Sequence, residues 1–181
     1  SVINVKDSAY GAVGDGTTND TAAVALAVTA AISTGKPLYF PPGTYKTTLT
    51  GLTNGMKIFG AGPTKSILLA PSSASAVVEV TGASAHTIEF RDLGIQGAGS
   101  GSSNHGIYFH DNTFDPYLIR LDRVQVSSCG GKGVYFNGHF TTHMNHVLVT
   151  DCGDNAFDFS GNNTNLLTHC YVDNLAANKT A

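Results

Sequence analysis

Charged residues are scarce in this chain of 181 residues. Asp, Glu, Lys and Arg together make up 13% of the sequence, the formal net charge is −3, and no block of basic residues occurs. A protein that binds nucleic acid needs a basic patch or stripe on its surface. The composition therefore argues against nucleic acid as a partner, although it leaves room for a local basic patch.

Long apolar runs are also missing. No stretch reaches the roughly 18 apolar residues that a membrane-spanning helix needs, and the N-terminal sequence SVINVKDSAY has neither the charged start nor the apolar centre of a signal peptide. We therefore expect a soluble protein that inserts no segment into a membrane. The three cysteines are too few for a disulfide framework in a chain of this length.

What the sequence does contain is an internal repeat. Residues 118–138, LIRLDRVQVSSCGGKGVYFNG, return almost position for position as residues 141–161, TTHMNHVLVTDCGDNAFDFSG, at an offset of 23 residues. A period of this size, built from short β-type runs, indicates a solenoid in which each repeat buries its apolar face by stacking on its neighbours. Cys129 and Cys152 take equivalent positions and are predicted to stack as free thiols, and Cys170 falls on an apolar column.

Alternation within the repeat predicts which side chains point inward. The core positions are Leu121, Val124, Val126, Val134 and Phe136, and the outer positions include Arg120, Gln125 and Tyr135. The preceding rung matches at an offset of 31, through Phe90, Leu93 and Ile95, and we place its extra residues in two loops, 97–105 and 111–116. This pattern predicts an all-β protein, a parallel β-helix of about 23 residues per rung.

Residues 19–32, NDTAAVALAVTAAI, are predicted to form a helix. Thr18 or Asn19 is expected to cap its first turn, and Gly35 with Pro37 to end it. Alanine and valine surround nearly its whole circumference, so we expect a mostly buried helix that covers an open end of the solenoid, where unpaired strand edges would otherwise be exposed.

One continuous domain with two parts is expected. Residues 1–48 hold an N-terminal strand, a GDG loop, the capping helix and a PPGTY turn, and residues 49–181 hold the β-helix rungs. The repeat carries Val134 to Phe157 and then to Thr180, where the third strand of the last rung would begin. We therefore expect the solenoid to continue beyond residue 181.

Two motifs in residues 2–48 carry a family resemblance. The GAxGDGxxxDT loop is matched by Gly11, Gly14, Asp15, Gly16, Asp20 and Thr21, and the YFPPGxY turn by Tyr39, Phe40, Pro41, Pro42, Gly43 and Tyr45. With these motifs the chain resembles the pectate-lyase-like right-handed parallel β-helix superfamily, and most of all the opening module of phage tailspike and capsule depolymerase proteins. Ala9 and Tyr10 depart from the pattern as a short insertion. The resemblance implies a right-handed, single-stranded β-helix with an N-terminal capping α-helix, in which Asp15 and Asp20 serve the turn and the helix start.

The resemblance implies less about activity, because the same opening module occurs in tailspikes, pectinases, alginate epimerases and glucanases. It favours an enzyme, a phage tailspike-like depolymerase that binds and cleaves bacterial capsule or lipopolysaccharide by lyase or hydrolase chemistry. Such a protein would be a homotrimer on a virion tail or outside the cell. Two alternatives stay open: a non-catalytic glycan-binding or structural β-helix of a tail fibre, and a secreted pectate lyase or alginate epimerase-like enzyme. No cofactor is expected, except Ca²⁺ if the protein is a lyase.

Candidate site residues lie in outward columns, because polysaccharide-active β-helices bind sugar chains along their outer surface. The first column holds Glu89, Arg120 and His143 on successive rungs, about 4.8 Å apart. The arginine would neutralise a uronate carboxylate and acidify the adjacent C–H, and the histidine could move the proton, which is lyase chemistry. The same residues also fit a simple ladder of exposed charges in which Glu89 pairs with Arg120.

A further outward column holds Tyr108, Tyr135 and Asp158. The tyrosines would bind substrate by stacking on sugar rings, and Asp158 with Asp154 or Asp151 could supply the carboxylate pair of a glycosidase, which needs a separation of about 5 to 9.5 Å. A polar outer strand face accounts for the same column without a function.

Four residues, Asp92, Arg123, His146 and His169, fall at a turn beside the first column. Histidines suggest zinc, which needs three or four convergent ligands. His143 and His146 are expected to point apart, and His146 and His169 to stack on each other. No metal site is therefore predicted.

Overall fold

The computed structural model of the protein describes residues 1–71, 74–81, 87–99, 101–160 and 164–173, with the backbone alone for residues 111–117 and 139. In this part of the chain there are 13 strands and one helix. In chain order they are β1 Ile3–Asn4, β2 Asp15–Asn19, α1 Thr21–Thr34, β3 Leu38–Phe40, β4 Gly43–Lys46, β5 Lys57–Gly60, β6 Ser66–Leu69, β7 Ala76–Thr81, β8 Thr87–Gln96, β9 His105–Ser127, β10 Val134–Thr150, β11 Phe157–Ser160, β12 Thr164–Thr168 and β13 Tyr171–Asp173.

These strands wind into a solenoid with three faces. Face A consists of β1, β3, β5, residues 87–91, 118–122 and 141–145, and β12. Face B consists of β2, β4, β6, residues 93–96, 124–127 and 147–150, and β13. Face C consists of β7, residues 105–110 and 134–137, and β11. All of these pairings are parallel, and the predicted all-β, right-handed parallel β-helix with an N-terminal helix is confirmed.

The length of each rung follows from the strand register. Leu118 pairs with Thr141 and Thr141 with Thr164, so two successive rungs repeat at the predicted 23 residues. The loop predicted at residues 111–116 is wrong, because these residues belong to the continuous strand β9. Register shifts between β9 and β10 on either side of Gly138 absorb the extra residues within the pairing itself.

The corner between faces A and B is a single residue in the left-handed region. Its occupants on successive rungs have φ values of 56° at Asp92, 51° at Arg123, 53° at His146 and 51° at His169. Left-handed backbone is costly for residues other than glycine, asparagine and aspartate. Parallel pairing on both sides of the corner therefore holds this conformation in place and stacks the four side chains into one column.

Aromatic rings fill the centre of the solenoid. Phe109, Phe136 and Phe159 occupy paired positions on face C, with ring centroids 4.4 and 5.6 Å apart, and Phe140 packs beside them at 5.5 Å from Phe136. The five residues predicted to point inward are all buried, with at most 1% of each exposed: Leu121, Val124, Val126, Val134 and Phe136.

The cysteines lie where the repeat places them. Cys129 and Cys152 are buried thiols, and Cys170 is a half-buried thiol that packs against the core. A hydrogen bond with Cys152 and burial both raise the pKa of the Cys129 thiol, so it stays protonated and unreactive.

The helix differs from its prediction in two ways. It begins at Thr21 with Asp20 at the N-cap position, so neither Thr18 nor Asn19 occupies that position, although the Asn19 side chain accepts a hydrogen bond from the amide of Thr21. Gly35 ends the helix in the left-handed conformation, as expected. The helix is not mostly buried, because only one side packs against the solenoid. That side comprises Val24, Ala27, Val28 and Ala31, whereas Leu26 is 58% exposed.

The division at residue 48 and the continuation beyond residue 181 stay predictions, and Thr180 lies outside the described residues. Within the described part of the chain, no helix is long and apolar enough to cross a membrane.

Replacing Asp20 with alanine is expected to lower the free energy of unfolding by about 2 kcal/mol. Asp20 is 2% exposed, and its carboxylate accepts hydrogen bonds from the backbone amides of Val13 (2.7 Å) and Gly14 (3.0 Å), which the substitution would leave unpaired. Urea denaturation measures the loss. Asp15→Ala is the matched control, because Asp15 also accepts backbone hydrogen bonds but is exposed. An equal loss in both variants would contradict the role assigned to the buried carboxylate.

Candidate functional site

The first predicted column lies on the outer surface of face A. Glu89 pairs in register with Arg120, and Arg120 with His143, while Lys57 precedes them and Leu166 follows. Arg120 and His143 are exposed and Glu89 is half-buried. Among the described residues no salt bridge joins Glu89 to Arg120. Glu89 and Arg120 thus do not form the predicted cross-strand ion pair in the described part of the chain, and a catalytic role for Glu89, Arg120 or His143 stays a prediction.

The side chains at the corner between faces A and B, those of Asp92, Arg123, His146 and His169, bind to or stack on neighbouring protein side chains. Arg123 donates two hydrogen bonds to the carboxylate of Asp92, at 2.7 and 3.0 Å, and also contacts Asp122. The rings of His146 and His169 stack with centroids 4.7 Å apart and planes 13° apart. No group of three or more histidine, cysteine, aspartate or glutamate residues could hold a metal ion in the described ranges.

The column on face C is the richest cluster of titratable groups. Tyr108 and Tyr135 are paired in register, between Glu79 on the preceding rung and Asp158 on the following one. The two phenol rings are stacked, 4.8 Å apart and 6° from parallel. Since three rung spacings separate the ends of the column, Glu79 and Asp158 lie about 14 Å apart along the solenoid axis. That separation is too large for the carboxylate pair of a glycosidase.

Both faces of the Tyr108 ring are covered by protein. His110 stacks on it at 4.3 Å and reaches back to Glu79 on the preceding rung, at 2.9 Å, whereas Tyr135 stacks from the following rung. On Tyr135 the second face is covered by the Lys132 ammonium group, 3.8 Å from the ring centroid. Stacking of a sugar on the ring faces would require His110 or Lys132 to move, and substrate binding by Tyr108 and Tyr135 stays a prediction.

Lys132 and Asp158 form an ion pair at the end of the column. Lys132 Nζ lies 2.7 Å from Asp158 Oδ2, and the side chains are only 18% and 14% exposed. The hydrogen bond to Asp158 raises the pKa of Lys132. Burial acts to raise the pKa of Asp158, but hydrogen bonds from Lys132, Ser160 and Asn155 outweigh it, so that pKa lies below the usual range. Both groups are therefore charged at neutral pH, and neither Asp154 nor Asp151 contacts this carboxylate in the described structure.

His105 completes the cluster. Its ring centroid lies 5.3 Å from the rings of both Tyr108 and Tyr135. Its Nδ1 accepts a hydrogen bond of 2.9 Å from the backbone amide of Lys132, so the ring proton resides on Nε2. Burial, and then the nearby Lys132 charge, lower the pKa of His105. The imidazole is thus neutral at neutral pH and presents an Nε2–H donor beside the two phenols.

Seven residues make up what we call the face C cluster: Glu79, His105, Tyr108, His110, Lys132, Tyr135 and Asp158. The sequence predicts Tyr108, Tyr135 and Asp158 as site residues but not the other four, Glu79, His105, His110 and Lys132. A signal for two of them exists: HGIYF at residues 105–109 aligns with KGVYF at residues 132–136, which places His105 and Lys132 at equivalent positions of the two rungs. The 23-residue offset does not apply to this pair of rungs, so the alignment is not found with it.

The chain shares its fold with solved β-helix proteins. Over 93% of its length it matches the mannuronan C-5 epimerase AlgE4 A-module of Azotobacter vinelandii, with a TM-score of 0.66 and 22% identity, and it covers 53% of that structure. Over 99% of its length it matches the Dettilon tailspike protein, with a TM-score of 0.60 and 16% identity, and it covers 48% of that structure. Geobacillus virus E2 ORF18 matches over 93% of this chain and 41% of that one, with a TM-score of 0.57 and 22% identity.

The chain thus spans about half the length of two of these structures and less of the third. No curated protein sequence matches it. The match that decides the family covers residues 2–181, nearly the whole sequence. The chain belongs to the rhamnogalacturonase A/epimerase, pectate lyase-like family.

Proposed function

We propose that the protein binds an acidic polysaccharide across face C and cleaves it there by elimination. The observation that carries this proposal is the face C cluster, in which a neutral imidazole, two phenol hydroxyls and a half-buried ammonium group lie within about one rung of one another. These are the groups that lyase chemistry requires. Hydrolysis is less well supported, because Asp158 is ionised and paired with Lys132, so it cannot act as a general acid.

Each group of the cluster has a role in this reaction. The Lys132 ammonium would face the uronate carboxylate and acidify the hydrogen on the adjacent carbon. A deprotonated tyrosine hydroxyl would remove that hydrogen as a proton, the bond from the neighbouring carbon to the glycosidic oxygen would break, and its electrons would leave with the oxygen as a carbon–carbon double bond forms. The same tyrosine, now neutral, would pass the proton to the departing oxygen, which restores the deprotonated tyrosine. His105 Nε2–H would donate a hydrogen bond to the tyrosine oxygen.

The biological setting is part of the proposal. The tailspike and virus proteins among the structural matches support a virion-associated or extracellular protein whose substrate is a bacterial surface glycan. We also propose that the protein is a homotrimer and that Ca²⁺ has a role if it is a lyase. Only the family resemblance supports these two proposals. The two alternatives, a non-catalytic tail-fibre protein and a pectate lyase or alginate epimerase-like enzyme, predict different products from the same substrates.

Replacing Tyr135 with phenylalanine is expected to lower the rate of elimination about a hundredfold, because the hydroxyl that takes part in proton transfer is lost while the ring stack remains. The rate is measured as ultraviolet absorbance of the conjugated product on uronate-containing capsule, pectin or alginate. Tyr171→Phe is the matched control, since Tyr171 is 62% exposed and lies on face B.

Three outcomes would overturn the elimination mechanism. New reducing ends without absorbance would indicate hydrolysis, a changed uronate configuration at constant chain length would indicate epimerisation, and binding without any change in the polymer would indicate the non-catalytic alternative.

A further inference from the structure

A second groove lies on a different face of the solenoid. A cavity of about 200 Å³ at the C-terminal end of α1 and one of about 170 Å³ on the outer surface of face A share Pro37 and Lys57 in their walls. The two are neighbouring cavities that share these walls, and together we call them the face A groove. The groove lies at the C-terminal end of α1 and on β5 and β8, whereas the face C cluster lies on β7 and β9 to β11, so the two are separate parts of the surface.

The face A groove carries an excess of positive charge. Lys36, Lys57 and Arg91 line it, against one acidic residue, Glu89. Lys36 and Lys57 form no salt bridge with any described residue, and Arg91 forms one ion pair, 3.4 Å to Asp92, and lies over the Phe59 ring at 5.6 Å. This concentration of cations stands out in a protein whose formal net charge is −3.

The positive charge continues along the solenoid axis beyond the groove. Arg120 is exposed, pairs in register with Glu89, and forms no salt bridge within the described chain. Asp92 and Asp122 are bound by Arg123, and Glu89, the in-register neighbour of Arg120, forms no salt bridge with a described residue. Lys57 and Arg120 thus stand two rungs apart, about 10 Å, with Glu89 between them, and neither cation has a salt-bridge partner among the described residues.

The chemistry of this surface fits an extended polyanion with apolar ring faces. Pro37 and the half-buried Phe59 provide apolar wall beside the cations, with Tyr39 at 4.9 Å and Arg91 at 5.6 Å already lying against the Phe59 ring. The spacing of Lys57 and Arg120 is comparable with the length of a disaccharide, so one polymer could place successive acidic sugars against both. We infer that the face A groove, with Arg120, is a second glycan-binding site that holds an acidic polysaccharide outside the reaction site.

The column of Glu89, Arg120 and His143, which the sequence suggests as catalytic, thus has a binding role. Arg120 and Lys57 act as anchors for carboxylate groups, and no proton transfer is required of Glu89 or His143. The site does not depend on the reaction proposed for face C, and the two can be tested separately.

Affinity electrophoresis tests the inference, with gels that contain polygalacturonate or, as a neutral comparison, dextran. The protein is expected to be retarded by polygalacturonate alone, and the Lys57→Ala/Arg120→Ala variant to bind it about tenfold more weakly. Retardation should also weaken as salt is added. The control variant Lys46→Ala/Lys65→Ala removes two positive charges from other parts of the surface and is expected to migrate like the wild type.

Two further measurements separate this inference from the proposed function. The Tyr135→Phe variant, which should lose elimination, should still be retarded by polygalacturonate as strongly as the wild type. Light scattering should give the same mass for wild type and variant. Equal retardation of the two double variants, no retardation of the wild type, or a change of mass that identifies face A as a subunit interface would each overturn the second binding site.

Discussion

The Phe136→Ala variant is expected to lose about 3 to 5 kcal/mol of folding free energy. Phe136 is completely buried, its ring stacks on Phe109 at 4.4 Å and on Phe159 at 5.6 Å, and Phe140 packs against it at 5.5 Å. Truncation removes the central ring of this ladder and leaves a cavity that the regular strand pairing on either side cannot collapse into. Urea denaturation, followed by far-ultraviolet circular dichroism, measures the loss.

Phe59→Ala is the matched control for this variant. Phe59 also stacks on an aromatic ring of the neighbouring rung, Tyr39 at 4.9 Å, but it is half-buried on the outer surface of face A. Phe59→Ala should therefore lower the free energy of unfolding clearly less than Phe136→Ala does, because folding removes less of the Phe59 side chain from water. If both variants lost the same free energy, the inner ladder could not be the main source of stability in the solenoid.

The inward position of Phe136 could be predicted from sequence because pairing is parallel and in register. A residue that alternates inward on one rung is aligned with a residue that alternates inward on the next, so the 23-residue repeat carries the pattern from strand to strand. The same logic correctly placed Glu89, Arg120 and His143 on one outer column. Their register follows from the repeat, but their function does not.

Two features of the fold could not be obtained in this way. The segment DNTFDP, residues 111–116, has the composition of a turn, yet parallel neighbours extend the strand through it and register shifts take up its extra length. The helix is apolar around its circumference, so its sequence does not indicate which side packs. Only the position of the solenoid end determines that Val24 and Val28 are buried and Leu26 is exposed.

Only part of the face C cluster could be predicted, because the repeat assigns a direction only to side chains within strands. Tyr108, Tyr135 and Asp158 lie within strands, where alternation assigns a side to each residue. Lys132 lies in the turn before its strand, where no period applies, and His105 stands at the very first position of β9. The closure of the tyrosine faces by His110 and Lys132 depends on side-chain directions that a periodic pattern does not contain.

Replacing Lys132 with methionine is expected to lower the rate of elimination about a thousandfold, because methionine keeps the contact with the Tyr135 ring but cannot neutralise a uronate carboxylate. The variant should also lose about 2 kcal/mol of folding free energy at neutral pH, since the carboxylate of Asp158 is left without its partner in a site where it is 14% exposed. Lys65→Met, at an exposed position, is the control for the change of charge.

The pH dependence of that loss identifies its origin. The folded-state pKa of Asp158 is depressed, so its ion pair contributes stability above the ordinary aspartate pKa of 3.8, and the contribution is lost as the pH falls through the depressed value. The raised pKa of Lys132 keeps the other partner charged throughout this range. The difference in stability between wild type and Lys132→Met should therefore shrink as the pH is lowered below 3.8, because the wild type then loses the same pair. A difference that stays constant from neutral to acid pH would show that lost packing, and not the charge of Lys132, causes the effect.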